Sequence, residues 1–331
     1  MRRRARPSGA GSLRERAFHR WLAGHLPAGD AGPLRLGDDA AALRPPAGTV
    51  AVVSTDALVE GTHFLAGSPP GLVGRAATAV SLSDIAAKAS RPAGVLLALV
   101  VPVGTPERWA RDVVRGAERE ATRFGVHVVG GDTKPGPTRT LVSTVVGWGR
   151  PDRLAPRSRA RVGDLLVTTG TVGRGGLAFR RLERGPRGRG LAEMLALDPR
   201  VREGIVLGRF AHAMLDTSDG IAEASRLLAE ASGVRLVLDE KLLPFARGLR
   251  SDVYSPRERR RLAFFGGDYE LLAAVPGRSV GPALLAVRAV RGRLTVVGRI
   301  VRGRGAYLRT ARALIPMPPA GWRPFDRPPR R

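Results

Sequence analysis

Short acidic motifs recur in this sequence beside glycines, hydroxyl side chains and apolar runs. Five of them are distributed over most of the chain: Gly37-Asp38-Asp39, Ser54-Thr55-Asp56, Leu82-Ser83-Asp84, Gly130-Gly131-Asp132-Thr133 and Asp216-Thr217-Ser218-Asp219-Gly220. A carboxylate next to a buried strand or helix is energetically costly unless it is paired or binds a metal ion. The chain must therefore fold so that these acids are compensated. Several of them converging at one place would form a site for a hard cation such as Mg²⁺.

The composition is typical of a globular protein without disulfide bonds. The 331 residues are enough for two domains, and the 43% of hydrophobic residues fits a folded chain. There is no cysteine, which excludes disulfides, thiolate nucleophiles and Cys-ligated zinc. No apolar run is long enough to span a bilayer, and no apolar region of a secretory signal follows the basic segment Met1 to Arg6. We therefore expect a cytoplasmic location.

The formal net charge of +26 raises the alternative of a nucleic-acid-binding protein. The basic residues are almost all arginines spread along the chain, which a genome rich in G and C would also produce. Aromatic residues make up 5% of the chain, which leaves few platforms on which bases could stack. An acidic small-molecule substrate would suit the charge equally well.

The order of the expected elements mixes strands and helices without a strict βαβ repeat, which favours an α+β fold. Helical patterns cover residues 12–26, 72–90, 105–124, 177–183, 221–232 and 284–290. Strand patterns cover residues 50–53, 94–102, 126–129, 141–148, 165–169, 235–238, 269–275 and 294–300. The polar segment from Gly149 to Gly163 predicts a boundary between a first domain, residues 1–150, and a second, residues 151–331.

Three of the acidic motifs fall next to the ends of expected elements, and Ser83-Asp84 lies within the helical pattern over 72–90. Gly130-Gly131-Asp132 is expected in a turn after a strand, where backbone N–H groups can approach a phosphate and the acid can hold a bridging metal. Asp216 and Asp219 precede an expected helix, and their two carboxylates can face the same point. Each motif alone has an ordinary alternative as a helix cap or a turn. There is no Walker motif and no Gly-x-Gly-x-x-Gly after a strand, so a bound nucleotide would depend on metal-bridged carboxylates.

The ordered set of motifs resembles the thiamine-monophosphate kinase family, in the superfamily that includes aminoimidazole ribonucleotide synthetase. The resemblance runs from about residue 12 to residue 325, and the matching strings are Gly-Asp-Asp-Ala-Ala (37–41), Ser-Thr-Asp-Ala-Leu-Val-Glu-Gly-Thr-His-Phe (54–64), Leu-Ser-Asp-Ile-Ala-Ala (82–87), Gly-Gly-Asp-Thr (130–133), Ser-Asp-Gly (218–220), Gly-Gly-Asp-Tyr-Glu-Leu-Leu (266–272) and Gly-Trp-Arg-Pro-Phe (321–325). The string over 54–64 is the most specific, because it separates this kinase family from its relatives. Hydrogenase-maturation and selenophosphate-synthetase relatives use cysteine or selenocysteine, and this chain has no cysteine.

The resemblance implies two α+β domains of the aminoimidazole ribonucleotide synthetase-like fold. The N-terminal domain sheets would pair in a homodimer, and ATP would bind between elements of both domains. The implied reaction is the ATP-dependent phosphorylation of thiamine monophosphate to thiamine diphosphate, assisted by several Mg²⁺ ions. No catalytic base is implied, because the acceptor phosphate oxygen is anionic at neutral pH.

The resemblance also assigns site residues position by position. The implied metal ligands are Asp39, Ser54, Thr55, Asp56, Asp84, Asp132, Asp216 and Asp219. The implied nucleotide contacts are Gly131, Asp132, Arg157 and Ser218, and the implied substrate contacts are His63 and Trp322.

One departure from the family pattern concerns the acceptor. The family usually has Gly-Gly-Glu-Asp-Tyr-Glu, with the first Glu touching the substrate, whereas this chain reads Gly-Gly-Asp-Tyr-Glu over 266–270. Because this Glu is missing, one alternative function is that of another ATP-dependent enzyme of the superfamily, with a different phosphorylated or amide substrate. A nucleic-acid-binding protein on an inactive kinase fold is the other alternative. Lys88 and Lys134 stand where neutral residues are more common, and either could contact a phosphate.

Overall fold

The structure, a computed structural model, describes residues 13, 15–26, 40–183 and 189–319. Two of the implied site residues, Asp39 and Trp322, lie outside these ranges. Within the described ranges, no helix is both long enough and apolar enough to cross a membrane.

The described residues form nine α-helices and eleven β-strands, which confirms the mixed helix and strand content. The helices are α1 (Glu15–His25), α2 (Pro70–Ala87), α3 (Glu107–Thr122), α4 (Arg174–Glu183), α5 (Arg189–Leu195), α6 (Val201–Leu207), α7 (Ile221–Ser232), α8 (Pro256–Ala263) and α9 (Val280–Ala289). The strands are β1 (Val50–Val59), β2 (Arg91–Val101), β3 (Val128–Pro135), β4 (Thr140–Gly149), β5 (Asp164–Thr169), β6 (Ala213–Asp216), β7 (Arg235–Asp239), β8 (Leu271–Pro276), β9 (Leu294–Val301), β10 (Gly305–Arg309) and β11 (Leu314–Pro316).

By its internal contacts the chain divides into two compact units. The first comprises Met1–Arg44, Thr55–Ser81 and Ala93–Val146, and the second comprises Pro45–Ser54, Leu82–Pro92 and Gly147–Arg331. The end of α2, which carries Ser83 and Asp84, therefore counts with the second unit. The division into domains of residues 1–150 and 151–331 stays a prediction.

The first sheet has four strands in the order β1-β4-β2-β3, and β2 pairs with β3 in parallel.

In the first unit, α2 and α3 approach each other so closely that only glycine fits at the contact. A Cβ atom on Gly116 would lie 2.0 Å from the carbonyl oxygen of Gly71, and one on Gly74 would lie 1.9 Å from that of Val113. Bulkier residues there would force the two helices apart.

The second sheet lies wholly in the second unit and has seven strands in the order β11-β10-β7-β9-β5-β8-β6. β10 pairs with β7 in parallel, and the other recorded pairs are antiparallel. Its core includes Leu166, Leu236 and Phe264, with Ile221 and Leu228 of α7 packed among them. Because β6 is an edge strand, its last residue, Asp216, is delivered at the border of the sheet.

Two local predictions are wrong. Ser54-Thr55-Asp56 lies inside β1, which continues to Val59, and does not follow the end of a strand. Gly130-Gly131-Asp132 lies inside β3 and does not form a turn. In both cases pairing with neighbouring strands extends the strand through residues that look like turn formers in isolation.

Candidate active site

Asp216 joins two motifs that lie 133 residues apart in the sequence. The hydroxyl of Ser83, which is fully buried, donates a hydrogen bond of 2.7 Å to its Oδ2 atom. The hydroxyl of Ser218 donates one of 3.0 Å to its Oδ1 atom. The Ser83 motif on α2 and the Asp216 motif at the end of β6 therefore form one local arrangement. Sequence reasoning does not select Ser83, although its position next to the acid Asp84 is a usable signal.

Two glycines hold the end of α2 in place within the second unit. A Cβ atom on Gly204 of α6 would lie 2.2 Å from the carbonyl oxygen of Ala86. One on Gly208 would lie 2.3 Å from the Cβ atom of Ala89. The backbone after α2 is thus packed directly against α6, which fixes the direction in which the last turn of α2 presents its side chains.

Asp84, Asp216 and Asp219, called here the acidic cluster, repel one another. Burial raises the pKa of Asp216 to about 6, and the negative charges of Asp84 and Asp219 add to this effect. The pKa of Asp219 is also raised, by partial burial and then by the charges of Glu223 and Asp84. The hydroxyl of Ser54 donates a hydrogen bond to Asp84. The acidic cluster is therefore short of positive charge.

Neither Ser218 nor Asp219 caps the following helix. The N-cap of α7 is Gly220, whose φ of 95° favours glycine, and no side chain there makes a capping bond. The ordinary explanation of these residues as helix caps is wrong. Both are left to interact with groups outside α7.

Lys88 places a positive charge beside the acidic cluster. Its Nζ atom donates a hydrogen bond of 2.8 Å to the carbonyl oxygen of Met214 in β6. Burial lowers the pKa of Lys88 to about 8, with the positive charge of Arg157 as a second cause, while Asp216 and Asp84 act in the opposite direction. Lys88 is therefore mainly protonated at pH 7. Arg157 itself lies at the surface.

β1 presents its motif residues on both faces. Because side chains alternate along a strand, Ser54 and Asp56 share one face and Thr55 lies on the other. The hydroxyl of Thr55 shares a hydrogen bond of 2.9 Å with that of Thr144 and donates one of 3.3 Å to the carbonyl oxygen of Ser143. The structure therefore does not bring the side chain of Thr55 together with that of Ser54.

Asp132 lies at the surface of β3. Its pKa is lowered, first by a hydrogen bond of 2.8 Å from the Nζ atom of Lys134 and then by one from the N–H group of Thr133. Gly131 beside it is required by packing, because a Cβ atom there would lie 1.9 Å from the carbonyl oxygen of Leu97. Asp132 is thus an ionised, accessible carboxylate held on a strand that cannot shift easily.

His63 lies at the surface in the turn that follows β1. Its Nδ1 atom accepts a hydrogen bond of 3.1 Å from the backbone N–H group of Val59. Partial burial lowers the pKa of His63, so the ring is neutral at pH 7 and Nε2 carries its proton. His63 can therefore donate a hydrogen bond through Nε2.

Asp268 takes part in a buried contact that sequence reasoning does not find. Its carboxylate accepts hydrogen bonds from the N–H groups of Gly173, at 2.7 Å, and Gly175, at 2.9 Å, at the start of α4. Burial raises the pKa of Asp268 to about 7, and the two N–H groups oppose this effect. Since the carboxylate points to these glycines, it does not replace the Glu that the family has at the preceding turn.

Glu270, two residues further on, is buried and paired. Its two carboxylate oxygens accept hydrogen bonds of 2.7 Å each from the guanidinium of Arg200, and one oxygen also accepts a bond of 2.7 Å from the hydroxyl of Thr169. Its backbone exchanges two hydrogen bonds with Thr217. Glu270 therefore supports the residue that directly follows Asp216.

The acidic cluster fits a hard divalent cation by its chemistry. Across the described ranges no group of three or more His, Cys, Asp or Glu side chains is arranged to hold a metal ion, and Asp39 falls outside those ranges. The atoms that Asp84, Asp216 and Ser54 offer are all oxygens, which Mg²⁺ prefers. Burial raises the pKa of Asp216, and the negative charges of Asp84 and Asp219 beside it give the cluster an excess of negative charge. A divalent cation would remove that imbalance.

The sequence matches two family models in succession. Residues 37–149 match the AIR synthase related protein N-terminal domain, and residues 161–310 match the C-terminal domain. The chain is 37% identical over 251 residues to the thiamine-monophosphate kinase of Synechococcus elongatus, covering 71% of this chain and 75% of that protein.

Solved structures give the same result. The thiamine-monophosphate kinase from Stenotrophomonas maltophilia K279a superposes with a TM-score of 0.79 at 30% identity, covering 91% of this chain and 98% of the other. AaThiL complexed with AMPPCP and TMP superposes with a TM-score of 0.71 at 27% identity, covering 85% and 89%. The expected fold of two domains related to aminoimidazole ribonucleotide synthetase is confirmed by these matches.

Proposed function

Because this chain belongs to the thiamine-monophosphate kinase family of the AIR synthase related proteins, we propose that it phosphorylates thiamine monophosphate with ATP, giving thiamine diphosphate. The observation that carries the proposal is the junction of Ser83, Asp84 and Asp216, which unites two of the family's acidic motifs. A related structure contains AMPPCP and TMP, an ATP analogue together with the corresponding acceptor. The acidic motifs of this chain are thus those expected for the proposed transfer from ATP to thiamine monophosphate.

The metal ligands are the next part of the proposal. In the second unit, Asp84, Asp216, Asp219 and Ser54 would hold Mg²⁺. In the first unit, Asp56 and Asp132 would do so, whereas we assign the side chain of Thr55 to the contact between β1 and β4. Bound Mg²⁺ screens the repulsion between two polyanionic substrates and stabilises charge on the transferring phosphoryl group. Asp39 completes the set expected from the resemblance.

The protein side chains bind and orient the reactants. Ser83 and Ser218 fix the carboxylate of Asp216, so that it needs no rearrangement when charge develops. Arg157 offers a positive charge for a nucleotide phosphate. His63 would donate a hydrogen bond from Nε2 to the acceptor. No side chain needs to remove a proton, because the acceptor oxygen is already anionic at pH 7.

The acceptor is the part of the site with a second candidate. The carboxylate of Asp268 is bound by two backbone N–H groups inside the second unit, so the substrate contact expected from the family's Glu has no counterpart in this turn. This observation favours, as the second candidate, an ATP-dependent enzyme of the same superfamily that acts on another phosphorylated compound.

A homodimer is proposed along the exposed edge strand β1. β1 is an edge strand, and Val50 and Val53 on it are 42% and 61% exposed. An edge strand presents unpaired backbone N–H and C=O groups, with which a strand of a second chain can pair. Light scattering after gel filtration should give the mass of two chains, and Val53→Lys should shift it towards one chain. The cytoplasmic location expected from the sequence stays a prediction.

The activity test uses purified protein with ATP, Mg²⁺ and thiamine monophosphate, with products separated by chromatography. We expect ADP and thiamine diphosphate in equal amounts, and no transfer to thiamine that lacks the phosphate. Asp84→Asn should lower turnover at least about a hundredfold through loss of metal. The matched control is Asp152→Asn, an exposed aspartate whose side chain is 61% accessible, which should retain full activity.

Three outcomes separate the candidates. ADP formed together with a phosphorylated product from a different acceptor, but no thiamine diphosphate, would establish the second candidate. No nucleotide turnover with any phosphorylated acceptor would contradict both candidates. An Asp84→Asn enzyme within about threefold of the wild type would refute the ligand assignment while leaving the reaction in place.

A further inference from the structure

Lys88 brings a positive charge to the acidic cluster from the C-terminal end of α2. It is the residue after the last one of α2 and lies four positions after Asp84. Its Nζ atom is bonded to the carbonyl oxygen of Met214, two residues before Asp216. One side chain therefore connects the two segments that carry the acids of the cluster.

The backbone around Lys88 leaves its side chain little choice of direction. The N–H group of Lys88 donates to the carbonyl oxygen of Ile85, which closes the last turn of the helix. Ala89, the next residue, has a φ of 55°, so the chain turns sharply away from the helix axis. Gly208 packs directly against Ala89. The contact between Lys88 and β6 is therefore built into the fold.

We propose that Lys88 is a positioning residue that acts as a fixed counter-charge for Asp84 and Asp216, holding the end of α2 on β6 and setting how tightly the acidic cluster binds a divalent cation. This inference rests on the proposed function, in which the cluster holds Mg²⁺. In this inference the charge of Lys88 repels the incoming cation. The same charge also holds the acids of the cation site in place.

The two effects of Lys88 have opposite signs, and this makes the inference testable. A fixed positive charge repels an incoming cation, so its removal strengthens cation binding. In the cation-free protein the same charge offsets the mutual repulsion of Asp84 and Asp216. Its removal then weakens the contact between α2 and β6. A residue with a purely structural role would produce the second effect without the first.

The experiment compares three variants with the wild type at pH 7. Lys88→Met removes the charge at similar size, Lys88→Arg keeps it, and Lys241→Met is the matched control, an exposed lysine in a short 3-10 helix. Binding of Mn²⁺ alone, which uses the same oxygen ligands as Mg²⁺, is followed through the electron paramagnetic resonance of the free ion. We expect Lys88→Met to bind Mn²⁺ about three- to tenfold more tightly, and the other two to match the wild type.

A second readout is thermal unfolding of the whole chain with EDTA and with saturating Mn²⁺. Lys88→Met should unfold at a lower temperature than the wild type in EDTA, and Mn²⁺ should reduce that difference. If Lys88→Met does not fold, Lys88→Gln removes the same charge, keeps a donor for Met214 and carries the same expectation.

Unchanged or weaker Mn²⁺ binding by the charge-removing variant would overturn the inference. If that variant instead raises KM for ATP or thiamine monophosphate while Mn²⁺ binding stays the same, Lys88 contacts a substrate phosphate and the inference is equally wrong. Asp84→Asn and Asp216→Asn distinguish this failure from failure of the proposed function. If both bind Mn²⁺ like the wild type, the acidic cluster holds no metal, and the ligand assignment falls first.

Discussion

Replacing Arg200 by Met should strongly destabilise the second unit. Arg200 donates two hydrogen bonds of 2.7 Å to Glu270, whose side chain is 4% exposed, and one of 2.9 Å to Asp198. Without the guanidinium, a buried carboxylate remains beside Asp198 and Glu203, both of the same charge. Breaking a buried pair by removing one partner costs about 3–5 kcal/mol, and since Arg200 is 24% exposed we expect the lower end, about 3 kcal/mol.

The measurement is urea unfolding followed by circular dichroism, arranged as a double-mutant cycle. Arg200→Met with Glu270→Gln should recover at least about half of the loss, because no buried charge is then left unpaired. Arg250→Met is the matched control. Arg250 pairs with Asp252 at the surface, where the two side chains are 66% and 59% exposed, so its loss should leave the urea midpoint unchanged.

The same variant connects stability to the active site. The backbone of Glu270 is bonded to Thr217, the neighbour of Asp216, so Arg200→Met should also lower turnover without any direct contact to substrate. A loss below about 1 kcal/mol for Arg200→Met, with no recovery in the double variant, would refute the reasoning that the pair balances a buried charge.

Three further predictions concern other parts of the fold. Ser83→Ala should lower kcat about ten- to hundredfold in steady-state assays, because the hydroxyl that orients the Asp216 carboxylate is lost. Gly116→Ala should lower the free energy of unfolding in urea by about 1–3 kcal/mol, since its Cβ atom would lie 2.0 Å from the carbonyl oxygen of Gly71. Because the pKa of Asp268 is raised to about 7 in the folded state against about 3.9 when unfolded, stability should fall as pH rises between these values. Urea unfolding across this pH range should show a flatter profile for Asp268→Asn.

Helices and strands with a strong hydrophobic periodicity could be predicted from the sequence. Elements that depend on contacts with neighbouring strands or helices could not. The helical pattern over 72–90 corresponds to α2, and the pattern over 221–232 corresponds to α7. The glycine pair at 130–131 has the residue types of a turn, yet β3 continues through it because β2 pairs alongside. α6, with a glycine at its centre, is also missed, since that glycine is explained only by the backbone of α2 against it.

The candidate site shows the same division. The acidic residues of the motifs are recognisable because they stand beside hydroxyls and glycines in a chain rich in arginine. The residues that support them are not. Arg200 is one arginine among many, and its partner Glu270 lies 70 positions away. Such pairs depend on tertiary contacts that local patterns do not encode.

Three carboxylates of the second unit, those of Glu270, Asp268 and Asp216, are compensated in different ways. Glu270 is matched by the guanidinium of Arg200, and Asp268 by two backbone N–H groups. Asp216 accepts hydrogen bonds from two serine hydroxyls, and Lys88 beside it donates its hydrogen bond to a carbonyl oxygen instead. Structural carboxylates gain nothing from incomplete pairing, whereas a carboxylate that must bind a cation during turnover has to keep part of its charge available. Among these three, Asp216 is therefore the carboxylate that we propose as a metal ligand.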